Sequence, residues 1–204
     1  MSYPNLMPFQ EQPFNGDSYI CEQFLKFKNR FNINVAIETG SCFYSTTIWL
    51  AQNFEKVYTV EINENFAKHG FHRLTNYNNV NYTIGTSRTF LNDILKNEIH
   101  EHDNCIFFLD AHWESHCPLL DELNEISKIK TKNPPIITIH DFKTDNENHG
   151  FDCYNEQCFD LNYIKNCIEK IESNLNCKYS YCYNNKSEGA NRGIIYLYSD
   201  IHIF

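Results

Sequence analysis

Four short apolar runs in this chain each stop at a polar residue able to do chemistry, and that pattern narrows the folds open to it. Val35-Ala36-Ile37 runs into Glu38, the segment from Lys56 to Ile62 carries Glu61 near its end, Cys105–Leu109 runs into Asp110, and Ile136–Ile139 runs into His140-Asp141. Apolar runs this short, with little alternation, suit strands buried on both faces, as in a parallel sheet covered by helices. A carboxylate at the end of such a strand makes poor core filling, because an unpaired buried charge costs several kcal/mol, roughly. Pairing with a surface lysine is the structural alternative.

The glycine after the first run sharpens the picture. Asn34 to Thr47 reads as strand, tight turn and helix start: Gly40 permits a reversal that Cβ sterics deny to other residues, and Ser45, Thr46 and Thr47 open a helix. Such a turn aims backbone N–H groups and a helix N-terminus at one point, a site for an anionic group.

The rest of the chain alternates in the same way. Asp17 or Ser18 caps a first helix with Ile20, Phe24, Leu25 and Phe27 on one side, after an N-terminal arm, residues 1–15, whose aromatics suit it to covering a surface. Helices are expected over Ile48–Phe54, over Phe66–Leu74, from Ser87 through Leu95, from Pro118 with Leu119, Leu120, Leu123 and Ile126 on one side, and over Leu161–Leu175. Val80–Ile84 adds a strand. Tyr179–Tyr183 and Gly193–Tyr198, joined through Gly189, close the chain as a hairpin, and 142–160 reads as loop. The sum is one α/β domain, doubly wound, with a mostly parallel seven-stranded sheet and a C-terminal antiparallel β-hairpin.

Composition excludes several functions. A net charge of -9 over 204 residues argues against life on nucleic acid or anionic membrane, which select basic surfaces. No apolar run approaches the roughly 18 residues of a membrane span, and the opening residues lack a secretory leader. With nine cysteines, an odd number in a chain of ordinary size, a reducing, cytoplasmic setting is expected. The sequence carries no signal for an oligomeric state.

In an open α/β sheet, ligands bind outside the carboxyl ends of the strands. The polar chemistry collects there: Glu38, Gly40 and Ser41, then Glu61, then Asp110 with His112, then His140 with Asp141. Glu61 lies about twenty residues past the glycine turn, where an acid reaches ribose hydroxyls. A nicotinamide cofactor is disfavoured, because no glycine follows Gly40 until Gly70 and Gly-x-Gly-x-x-Gly is absent.

Taken in order, Glu38-Thr39-Gly40-Ser41, Val-Tyr-Thr-Val-Glu61, Phe-Phe-Leu-Asp110-Ala-His112-Trp113 and Ile-Ile-Thr-Ile-His140-Asp141 resemble the successive motifs of class I S-adenosylmethionine-dependent methyltransferases, across nearly the whole chain. Within that superfamily the chain is similar to metal-dependent, macrocin-type small-molecule O-methyltransferases. The resemblance implies a Rossmann-like fold, S-adenosylmethionine as cofactor, and methyl transfer to a hydroxyl of a small-molecule or sugar acceptor. It implies that Glu38, Gly40 and Ser41 face the methionine part, Glu61 the ribose, Ser87 the adenine edge, and Asp110 the cofactor cleft. It also implies a divalent metal, magnesium or manganese, held by Asp110, His140 and Asp141, with Asp110, His112 and His140 as catalytic groups.

Two positions depart from the family. Tyr44 stands where a second glycine is common, and Thr86, within Gly85-Thr86-Ser87, where an acid often contacts adenine. A degenerate, non-catalytic binding or scaffold protein on the same fold therefore stays open. So does a metal-free His-Asp pair acting as base or scaffold. His116, Cys117, His149, Cys153 and Cys158 invite a zinc reading, although no Cys-x-x-Cys is present; the alternative is loop residues with no joint role. Cys21, Cys105 and Cys167 fall on apolar faces as small core residues.

Overall fold

The structure, a computed structural model, describes residues 11–112, 117–154 and 156–200. Trp113, His116 and the first ten residues of the arm lie outside them. Strands β1 (Val35–Thr39), β2 (Lys56–Glu61), β3 (Val80–Ile84), β4 (Cys105–Leu109) and β5 (Ile136–Ile139) alternate with helices α1 (Ser18–Phe31), α2 (Ser45–Asn53), α3 (Glu64–Leu74), α4 (Ser87–Asn97) and α5 (Leu119–Ile126). A two-stranded hairpin, β6 (Cys153–Tyr154) and β7 (Gln157–Cys158), precedes α6 (Leu161–Leu175), and β8 (Ser180–Tyr183) and β9 (Ile195–Tyr198) end the chain.

Seven strands form one sheet in the order β3-β2-β1-β4-β5-β9-β8. Strands β1 to β5 pair in parallel, while β9 runs antiparallel to both β5 and β8. The order reverses between β1 and β4, the place where open α/β sheets bind ligands, and Glu38, Glu61, Asp110 and His140 lie at or next to the carboxyl ends of β1, β2, β4 and β5.

Period-two alternation divides the central strands between two cores. Val35, Ile37, Phe107 and Ile139 face α4, α5 and α6, whereas Ala36, Ile106, Phe108 and Ile136 face α1 and α2. Each of these side chains is at most 2% exposed, and full burial of a Phe or Ile contributes about 1.5–3 kcal/mol. Phe14 at the end of the arm is buried on the second side, its ring 5.0 Å from those of Phe24 and Phe108.

Helix starts follow local chemistry. The carboxylates of Asp17 and Asp160 accept the N–H groups of Tyr19 and Tyr163 to cap α1 and α6. Thr86, not Ser87, caps α4, accepting from Thr89 N–H, so Ser87 becomes the first helical residue and turns inward. Pro118 sits one position earlier than expected, as the residue before α5.

The segment read as loop holds the largest surprise. Cys153 and Cys158 face each other across β6 and β7 and are joined by a disulfide, which corrects their reading as loop residues with no joint role. The other seven cysteines are free. The zinc set does not assemble among the described residues: His149 bonds to Asn146 and Thr144 within its own loop, and Cys117 lies 3.7 Å from the Tyr163 hydroxyl. Sequence could not show this, because cross-strand register, which decides which cysteines meet, is a tertiary property. Among the described residues no helix is long and apolar enough to cross a membrane.

Candidate functional site

The turn after β1 contains three residues in the left-handed region, Gly40 (φ 81), Cys42 (φ 48) and Tyr44 (φ 62). Gly40 is required by its neighbour: a Cβ there would lie 2.3 Å from the backbone carbonyl of Asp110, because the end of β4 crosses directly over it. The expected row of free N–H groups is mostly spent within the protein. Gly40 and Ser41 both donate to the Val60 carbonyl, and Tyr44 donates to that of Ser41. Tightness of the turn thus comes at the expense of donors, a trade invisible in the sequence.

Tyr44 keeps the backbone conformation that a glycine would adopt there, at a cost of about 1 kcal/mol for a residue with a Cβ. Its ring is fully buried against α3, where Gly70 makes the space: a Cβ on Gly70 would lie 1.7 Å from the ring. Burial pushes the Tyr44 hydroxyl up to about 12, and that hydroxyl and Ser41 Oγ are buried without a hydrogen-bond partner.

Glu38 is sealed inside the protein. It is 1% exposed, and its Oε2 accepts the hydroxyls of Thr47 on α2 and Thr59 on β2, the latter at 2.6 Å. Burial pushes its pKa up to about 7 against those two donors. Glu61 is engaged at both oxygens, by the N–H of Cys42 at 2.7 Å and that of Asn63 at 2.8 Å, and burial raises its pKa against these bonds. Ser87 is buried toward Glu122.

Beyond β4 and β5 the site becomes densely charged. His112 Nε2 lies 2.8 Å from Asp141 Oδ2, 3.7 Å from Asp110 Oδ1 and 3.8 Å from Asp152 Oδ2. His140 Nδ1 lies 3.2 Å from Asp110 and 3.3 Å from Asp141, yet neither approach is aligned as a hydrogen bond. Arg192, from the turn before β9, pairs with both Asp141 and Asp152. Burial works against the charged forms of His112 and His140, and the surrounding carboxylates overcome it, raising both, His140 well above its ordinary value. The same ion pairs overcome burial at Asp141 and hold its pKa far below the usual carboxylate range.

One donor atom each from Asp110, His112 and Asp141 can lie within 4.8 Å of the others. Two carboxylates and an imidazole fit a divalent ion, and buried His140 Nδ1, close to both carboxylates without an aligned hydrogen bond to either, marks a cluster whose own hydrogen bonding is imperfect. The set differs from the expected Asp110, His140 and Asp141 by the exchange of one histidine; His140 touches the same two carboxylates from the strand end itself.

Three residues of the region went unnoticed in the sequence. Glu122 is 1% exposed on α5, with burial raising its pKa and Ser87 working the other way. It falls three residues after Leu119 and four before Ile126, a core-facing spacing that could have flagged it. Asp152 and Arg192 have no such signal, since both come from irregular segments brought in by tertiary contacts.

No protein-family profile matches this sequence, and neither does any curated protein. Solved structures do. The O-methyltransferase from Bacillus cereus in complex with SAH superposes with a TM-score of 0.60 at 16% identity, covering 96% of this chain and 83% of that one. The O-methyltransferase TomG from Streptomyces achromogenes, involved in tomaymycin synthesis and in complex with SAM, gives 0.59 at 13% identity over 86% and 76%. The fold is that of the class I methyltransferases. An rRNA methylase from Streptococcus thermophilus shares it, with a TM-score of 0.56 at 14% identity over 88% of this chain and 96% of that one. The methyltransferase fold thus accommodates acceptors of very different size, and the acceptor must be argued from the site.

Proposed function

We propose that this chain is an S-adenosylmethionine-dependent methyltransferase acting on a hydroxyl of a small-molecule or sugar acceptor. The observation that carries the reading is the meeting, at the switch point of the sheet, of the Gly40 turn and Glu61 on one side with Asp110, His112, His140 and Asp141 on the other. One half suits a cofactor with an amino acid and a ribose; the other suits an acceptor that must lose a proton.

Methyl transfer is an in-line displacement at a sulfonium carbon, and the leaving group is already part of the cofactor. The protein has to hold the acceptor oxygen on line and take its proton, and orientation alone contributes about 7–11 kcal/mol in favourable cases. Glu61 would accept the ribose hydroxyls in place of its backbone partners; Glu38, Gly40 and Ser41 would shape the end for the methionine part, and Ser87 would lie toward the adenine edge. Asp110 and His112 face the acceptor, with His140 behind them buttressing Asp110 and Asp141. A magnesium or manganese ion on Asp110, His112 and Asp141 would lower the pKa of the acceptor hydroxyl.

Calorimetric titration with S-adenosylmethionine, with NAD in parallel, tests the reading. The wild type should bind the first and not the second, and Glu61→Ala should weaken binding about 10- to 100-fold with an unchanged circular dichroism spectrum. Equal affinity in the variant would sink the ribose assignment. A second reading, a non-catalytic binding protein on this fold, draws support from the full engagement of Glu61 by Cys42 and Asn63. It expects an intact fold with no methyl transfer to a hydroxylated acceptor.

A further inference from the structure

Asp141 has three partners among the described residues, His112, His140 and Arg192, and Arg192 is the one that comes from outside the strand ends. Its Oδ2 pairs with His112, and its Oδ1 pairs with Arg192 Nε. The same guanidinium uses Nη2 to hold Asp152 Oδ1, which leaves Asp152 Oδ2 turned toward His112. Arg192 is itself fixed from several directions. Its own carbonyl accepts from the side-chain amide of Asn184 at 2.9 Å, and its neighbours bond to Gly150, the Asn191 carbonyl accepting from Gly150 N–H at 3.0 Å and Gly193 N–H donating to the Gly150 carbonyl at 2.8 Å. Gly150 leaves room for the guanidinium, since a Cβ there would lie 2.8 Å from Nη1. Asp152 is tied back to Asp141 by its N–H at 2.9 Å and stands next to the disulfide-closed hairpin. Three separate pieces of chain, the end of β5, the hairpin segment and the turn before β9, therefore meet on one guanidinium.

We propose that Arg192 is a positioning residue for a divalent ion: by bridging Asp141 and Asp152 it holds the Asp141 carboxylate through Oδ1, so that Oδ2, which bonds to His112 here, is the oxygen that would turn to an ion shared with Asp110 and His112. This rests on the methyltransferase reading with its metal. The geometry suits arginine and no other cation, because only the planar fork presents two nitrogens to two carboxylates at once.

Two effects of removing Arg192 oppose each other, and their signs separate the proposal from a plain charge effect. Loss of a positive charge beside the site would by itself tighten binding of a cation, whereas loss of an outer partner of a ligand typically weakens metal affinity about 10- to 100-fold. The experiment measures Mn2+ affinity by titration followed by electron paramagnetic resonance, on wild type, Arg192→Ala, Arg192→Lys and Gly150→Ala, with S-adenosylmethionine affinity and cooperative thermal unfolding recorded on the same samples. Gly150→Ala keeps the charge and displaces the guanidinium. The expected result is at least about a tenfold loss of Mn2+ affinity in all three variants, with cofactor affinity within about twofold of wild type. Unchanged or tighter Mn2+ binding in Arg192→Ala overturns the proposal, as does wild-type affinity in both Arg192→Lys and Gly150→Ala. Parallel loss of cofactor binding and cooperative unfolding also overturns it, in favour of a purely structural ion pair. A wild type that binds S-adenosylmethionine but no Mn2+ overturns it while leaving the methyltransferase reading intact; a wild type that binds no cofactor removes that reading instead.

Discussion

Glu38 shows how much a single buried carboxylate can impose on the whole chain. Its pKa lies above that of an exposed glutamate, so the folded state holds a proton that the unfolded state releases between about pH 4.5 and about 7. Stability contributed by this group is complete below the unfolded value and is lost as pH rises through the folded one, by about 3 kcal/mol at most. Glu38→Gln keeps an oxygen for Thr47 and Thr59 and removes the titration. Urea unfolding at pH 5 and pH 8 should therefore show a smaller loss of stability with pH in the variant than in the wild type; identical losses would mean that Glu38 does not titrate in this window. Residues of this kind were legible as strand-end acids, but their burial was not. Glu38 and Glu61 look equivalent in the sequence, yet one is closed in by two threonines and the other by two backbone N–H groups.

At the scale of elements, the contact between α3 and the turn before α2 depends on a reciprocal exchange. Tyr44 occupies a position whose backbone favours glycine, and Gly70 occupies a helix interior that favours alanine, because the Tyr44 ring fills the volume a Cβ would need. Propensity alone would have Gly70→Ala stabilise by about 1 kcal/mol. Overpacking against the ring should reverse the sign and destabilise by about 1–3 kcal/mol. In a Tyr44→Ala background the same change should become neutral or stabilising, and a double-mutant cycle by chemical denaturation reads the coupling. A coupling near zero would show that the ring moves aside freely. Some element boundaries were clear in the sequence: Val80–Ile84, Cys105–Leu109 and Ile136–Ile139 form as read. The β6–β7 hairpin was missed because two-residue strands leave no periodic trace, and its pairing rests on a disulfide and on Asp152 reaching Arg192.

For the whole molecule, the net charge of -9 bears on whether the acceptor is a nucleic acid, because nearly all non-specific nucleic-acid affinity depends on contacts with the phosphate backbone. A gel-shift titration with an rRNA fragment at 150 mM salt should show no complex at protein concentrations up to about 10 μM, within the range where non-specific binders already associate. A salt-sensitive complex in that range would reopen a nucleic-acid acceptor. The sequence by itself determined the α/β alternation, the seven main strands, the closing hairpin and the row of polar residues at the strand ends, because burial period and chain direction are written locally. Only the tertiary structure decided which of those residues meet. His112 joined Asp110 and Asp141 as a mutually close donor set, with His140 against the same carboxylates, Glu38 was sealed into the protein, and Asp152 and Arg192 were drawn into the cluster from segments without pattern. The physical reason is that a side chain's neighbours depend on strand order, loop path and the free volume around it, and none of these is a property of the residue or of those beside it in the chain.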